Sequence, residues 1–98
     1  MRLARVVGTT VSTAKDPNLS GHKLLLCAPC GTDGDEEAGD RFVAVDTVGA
    51  GVGEVVLVAT GSAARVPEST RSAPTDATVV GIVDSIQSGA TTTYSKAR

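Results

Sequence analysis

Residues 42–65 read FVAVDTVGAGVGEVVLVATGSAAR, and this stretch carries the tightest constraint on the fold. It holds two valine-rich runs, 41–46 and 54–60, and neither alternates apolar with polar residues. In extended conformation the first run sends Phe42 and Ala44 to one side and Val43 and Val45 to the other. The second sends Val55, Leu57 and Ala59 one way and Val56 and Val58 the other. A strand with one wet face alternates, so a strand that is apolar on both sides must lose water from both. In an α/β protein helices would cover the second face, but this chain has almost no helical periodicity. The cover must then be a second copy of the chain, or a barrel interior combined with a partner surface. A small sandwich whose strands are all central is the remaining solution.

The corner between the two runs is Val48-Gly49-Ala50-Gly51-Val52-Gly53. Its three glycines permit positive φ and close backbone approach. A dinucleotide fingerprint would need a helix after the glycines and a G-x-G-x-x-G spacing, whereas this corner runs straight into the strand Glu54-Val55-Val56-Leu57-Val58. No Gly-Lys-Ser/Thr triplet is present, which excludes a P-loop. The corner therefore reads as a structural turn or an assembly contact.

Ninety-eight residues make one domain. With one Phe, one Tyr and no Trp the core must be aliphatic, and valine with 11 glycines points to short strands joined by tight turns. The expected fold class is mainly β. Nine basic and eleven acidic residues give a net charge of −2, which offers no electrostatic footprint for nucleic acid, and two aromatics are too few for base stacking. No apolar run is long enough to span a membrane as a helix. The N-terminus lacks the apolar segment of a signal peptide, so the expected location is the cytosol.

Along the chain, residues 1–13 read as a first strand, with Arg2 and Arg5 as solvent-facing edge charges or as salt-bridge partners for a neighbouring subunit. Lys15-Asp16-Pro17-Asn18 is turn chemistry, and His22 lies beyond it in a loop as a solvated side chain. Leu24-Leu25-Leu26 leads a second strand into Cys27-Ala28-Pro29-Cys30. This C-x-P-C run is the one catalytic temptation, because a thiol-redox protein uses such a pair with the first thiolate held by a helix N-terminus. Here the next residues, 31–40, are a loop of three glycines and five acids, which neither forms that helix nor lowers a thiol pKa. Half of a zinc site and two ordinary thiols are the other readings of Cys27 and Cys30. The acidic loop reads as solvated, and its spacing fails the EF-hand pattern. Gly61-Ser62-Ala63-Ala64-Arg65 reads as one helical turn with Ser62 as N-cap and Pro67 as stop. As a nucleophile Ser62 lacks a histidine close by in sequence. Residues 78–84 form the last strand of the core, with Gly81 marking a bulge or close approach. Residues 87–98 are small and polar and read as a loose tail, or as an added edge strand over 91–94. The expected division is a β-barrel domain over 1–86 and a polar tail over 87–98.

These segments, taken in order, resemble the EutN/CcmL family of bacterial microcompartment vertex proteins. The resemblance is carried by Met1 to Val7, LSGHKLL from Leu19, VAVDTVGAGVGE from Val43, VLV from Val56, GSAAR from Gly61 and DATVVGIVD from Asp76. Cys27 and Cys30 lie outside the shared pattern, and so does everything after Gln87. The resemblance implies a small five-stranded OB-like β-barrel with one short helix, assembling as a cyclic pentamer. It implies a structural shell protein with no catalysis and no cofactor, its partners being its own copies and hexameric shell proteins. By analogy, Gly49, Ala50, Gly51 and Gly53 are expected near subunit contacts or the ring axis, together with Gly61 and Ser62. Asp46, Glu54 and Arg65 are the candidates for polar contacts that fix ring register.

Overall fold

The computed structural model describes residues 1–96. Five strands close into a barrel: β1 (Arg2–Thr10), β2 (Lys23–Pro29), β3 (Phe42–Asp46), β4 (Val55–Thr60) and β5 (Ala77–Ile82). The order around the barrel is β1-β2-β3-β5-β4, and β4 pairs back onto β1. Every pairing is antiparallel except β3 with β5. This is the OB-like barrel that the resemblance implied. Closure explains the two-sided strands in part, because one face of each strand lines a sealed interior and no barrel strand is left as an edge.

The interior is filled by small and branched side chains. Ala4 and Val6 of β1, Leu25 and Cys27 of β2, Ala44 of β3, Val56 and Val58 of β4, and Ala77 and Val79 of β5 form one buried cluster. Ala50 from the glycine-rich loop joins it, and Phe42 and Ile82 pack against it. Phe42 and Ala44 thus share the inward face, as their spacing predicted. β5 bulges at Val80, opposite the step from Leu57 to Val58 in β4, which pair with Gly81 and Val79. A Cβ on Gly81 would sit 3.3 Å from Leu57 Cδ1, so this is a close approach as well as a bulge.

The outer face of β4 is covered by the chain itself. Residues 85–95 form a hairpin of β6 (Ser85–Ser88) and β7 (Thr91–Ser95), where a loose tail was the first expectation. The new strand falls over 91–95, but it pairs with β6 and not with the barrel. The expected boundary at 86/87 lies inside this hairpin. Ile86 and Tyr94 from its two strands pack with Leu3 and Leu57 over Val55, Cys30 and Val83. Cover from sister copies is therefore not the sole solution to the apolar outer face. Part of that face stays open: Leu3, Leu57, Ile82 and Ile86 line a groove of about 540 Å³.

Three local expectations are corrected and a fourth is met. β1 ends at Thr10, short of the expected end at residue 13, and Val11 beyond it is exposed. The expected helical turn is present over Gly61–Arg65 with 3-10 geometry, and the described residues contain no α-helix. Thr60, not Ser62, flanks its start, and no side chain caps it; Gly61 makes the entry at φ +64. The acidic loop is not simply solvated, because Gly34 is buried beneath Arg5 and Tyr94.

Candidate functional site

The sequence-derived candidates fall into two groups at opposite ends of β4. Asp46, Gly49, Ala50, Gly51, Gly53 and Glu54 belong to the loop that enters the strand, and Gly61, Ser62 and Arg65 to the turn that leaves it. A six-residue strand separates them by about 20 Å.

The entry loop is rigidly scaffolded. Asp46 ends β3, and its carboxylate accepts from Val48 N at 3.1 Å and from Ala50 N at 3.0 Å. Glu54 accepts from Gly51 N at 2.6 Å through Oε1. Both acids thus bond amides that no strand ladder can satisfy, which is how a loop avoids unpaired donors. Lys23 Nζ donates to Ala50 O at 3.0 Å, and Gly53 N donates to Val6 O at 2.8 Å. Gly49 and Gly53 take φ of +79 and +93, the left-handed region that other residues enter only at a cost. The result is a fixed corner with Ala50 pinned into the barrel and Val48 and Val52 held out to solvent, Val52 at 63% exposure.

Two cations behind this loop escape a reading of the sequence. Arg5 reads in sequence as an edge charge, yet its guanidinium donates from Nε to Gly34 O at 2.8 Å and from Nη1 to Gly53 O at 2.6 Å. It also lies 5.9 Å from the Tyr94 ring centroid, within cation–π range. Lys96 Nζ pairs with Glu54 Oε2 at 2.5 Å. The Lys96 ammonium and the Gly51 amide hold the Glu54 carboxyl below the usual carboxylate range. Nothing local in the sequence marks either cation, because each role exists only once distant segments meet. Arg2 is simpler: it stacks over Phe42 at 4.7 Å.

The exit turn is held by buried hydroxyls. Ala64 O accepts from Thr70 Oγ1 at 2.8 Å and from Thr78 Oγ1 at 2.7 Å. Arg65 Nη1 donates to Thr75 O at 2.9 Å, so this candidate also bonds within its own chain. Ser62 and Gly61 are exposed on the turn.

The cysteine pair does not form a redox site. Cys27 points into the barrel cluster and Cys30 into the outer cluster, on opposite sides of the barrel wall. Two thiols so placed can neither close a disulfide nor share a metal ion as half of one site. Burial pushes the Cys27 thiol from 9.0 up to about 11, with Asp46 adding to the shift. Burial also raises Cys30, against an opposing pull from Arg5 and with further push from Glu37 and Asp33. A reactive cysteine needs the opposite shift. Native protein at pH 8 is therefore expected to alkylate with iodoacetamide at Cys27 about a hundredfold more slowly than unfolded chain, the ratio of thiolate fractions. Both folded pKa values lie above their unfolded ones, so the native state holds these protons more tightly. Their contribution is complete below the unfolded thiol pKa and is lost as pH rises through the folded pKa, about 11 for Cys27. Equal alkylation rates in folded and unfolded chain would contradict the buried placement.

Fold and loop together define a class: a small closed β-barrel that presents a hydrogen-bonded corner and an open apolar groove. The chain belongs to the EutN/CcmL family, since the family model described as ethanolamine utilisation protein EutN/carboxysome matches residues 1–84. A carboxysome shell vertex protein, CcmL of Synechocystis sp., is 50% identical over 97 residues, covering 98% of this chain and 95% of the relative. The solved structure of Nostoc sp. CcmL superposes with a TM-score of 0.92 at 45% identity, covering 98% of this chain and 100% of that one. The pentameric microcompartment shell protein GrpN of Rhodospirillum rubrum superposes with a TM-score of 0.79 at 46% identity, covering 90% and 98%.

Proposed function

We propose that this chain is a structural shell protein that closes the vertices of a polyhedral bacterial microcompartment in the cytoplasm as a cyclic homopentamer. The observation that carries the reading is likeness over nearly full length to a shell vertex protein and to a pentameric shell protein. The physical logic supports it. Flat layers of six-fold tiles close into a polyhedron only when five-fold units occupy the corners, so hexameric shell proteins are the expected neighbours. A head-to-tail interface generates such a ring when its rotation closes. The open groove along Leu3, Leu57, Ile82 and Ile86 supplies apolar surface for a neighbouring copy. The rigid loop at residues 49–53, with Asp46 and Glu54 shaping it, is our candidate for the contact or axis region, and Gly61, Ser62 and Arg65 for a second contact at the far end of β4. No catalytic role is assigned. Native mass spectrometry is expected to give a single species of five chains at micromolar concentration. A monomer throughout that range would reject the assembly.

A further inference from the structure

The loop that enters β4 and the C-terminal hairpin meet across a cleft walled by Arg5, Val52, Glu54, Tyr94 and Lys96. Glu54 has one carboxylate oxygen on each side of this junction: Oε1 on the Gly51 amide of the loop and Oε2 on Lys96 of the hairpin segment. Arg5 spans the same junction by a second route, through Gly53 O and the Tyr94 ring. The base of the hairpin is closed by Lys96 N donating to Asp84 O at 2.8 Å, which sets the position of the Lys96 side chain.

We infer that Lys96 and Arg5 are positioning residues for the glycine-rich loop, so that the docked hairpin acts as a clamp fixing the corner at residues 49–53. The reasoning is thermodynamic. A loop with three glycines has large conformational freedom, and ordering it on association would weaken any contact it makes. Here the ordering is done within the chain before a neighbour arrives. Neutralising Lys96 leaves Glu54 free to swing to solvent, which removes the acceptor from Gly51 N. The barrel ladders do not depend on the clamp, and Ala50, the one residue of this loop in the interior cluster, is held separately by Asp46 and Lys23. The effect on assembly rests on the pentamer reading; the effect on the loop does not.

The test compares K96M and E54Q with the wild-type chain. K96M keeps the aliphatic stem and removes the charge, and E54Q keeps an acceptor for Gly51 but cannot pair with the ammonium as an ion. Amide exchange at Gly51 is expected to quicken at least tenfold in K96M and less in E54Q, with exchange at barrel amides such as Val56 unchanged. Native mass spectrometry on dilution is expected to show the K96M ring coming apart at a protein concentration at least fivefold higher than wild type. Unchanged Gly51 exchange in K96M overturns the clamp. Faster exchange with an equally stable ring overturns its role in assembly. A monomeric wild type would remove the pentamer reading and the assembly half of the inference, and the Gly51 exchange would still decide the clamp.

Discussion

Leu25→Ala is expected to cost about 3 kcal/mol of unfolding free energy, within the range of about 2–5 kcal/mol typical of buried Leu→Ala changes. Leu25 is fully buried and is the largest such side chain in the barrel. The cavity it leaves cannot easily close. Its neighbours across the ladder are Thr9 and Ala44, and much of the remaining interior is alanine and valine, which have little reach. The wall cannot shrink either, since each strand is hydrogen-bonded on both sides. For a domain whose total stability lies in the range of about 5–15 kcal/mol, this is a large share. Urea unfolding at one fixed protomer concentration measures it, because the stability of an oligomer depends on concentration. Leu24→Ala on the same strand, where the side chain is half-buried, should cost clearly less. A Leu25→Ala loss under about 1 kcal/mol, well below the usual cavity cost, would mean that the interior is not packed around this residue.

How much of the molecule is legible in its sequence depends on the range of each interaction. The β period is local, so the sharing of one face by Phe42 and Ala44, and by Val56 and Val58, reads directly, while the choice of that face as the inward one comes from barrel closure. Apolar residues on both faces of residues 54–60 correctly demand two covers. The identity of the outer cover does not read, because the hairpin supplies only Ile86 and Tyr94, eight positions apart on different strands, set among small polar residues. Asp46 and Glu54 are visible as charges beside a glycine corner, but their bonds to Val48, Ala50 and Gly51 are not, since these come from the path of the loop. The sequence suggests both as partners for another subunit. They are engaged with their own loop, and a ring contact would have to use what remains of their surfaces. Arg5 misleads for a topological reason: on an open sheet it would sit at an edge, and closure of β4 onto β1 removes the edge. Ser62 misleads as a cap because the turn begins one residue earlier, where a positive-φ glycine makes the entry without a side-chain bond.

The second large effect is expected at Gly34, and it separates backbone strain from crowding. Gly34 and Gly21 have nearly the same φ, +83 and +84. A Cβ at Gly21 would meet nothing within 4 Å, whereas one at Gly34 would lie 2.5 Å from Tyr94 Cδ1 and 2.9 Å from Arg5 Nη2. Gly21→Ala therefore carries only the left-handed cost of about 1–2 kcal/mol. Gly34→Ala carries that cost and a packing penalty of about 1–3 kcal/mol, because a ring atom and a doubly bonded guanidinium must both give way. The displacement would propagate. Arg5 holds Gly34 O and Gly53 O together, so pushing the guanidinium away loosens both the acidic loop and the glycine-rich corner. The expected signature is a larger drop in urea midpoint for Gly34→Ala than for Gly21→Ala, at unchanged slope, with faster amide exchange at Gly53 in the first variant alone. The double variant Gly34→Ala/Tyr94→Ala, which vacates the ring position, should recover part of the packing penalty despite losing the Tyr94 contacts. If the two single variants lose the same stability, the acidic loop does not close over Arg5 and Tyr94, and the link between it and the corner through one guanidinium is not there.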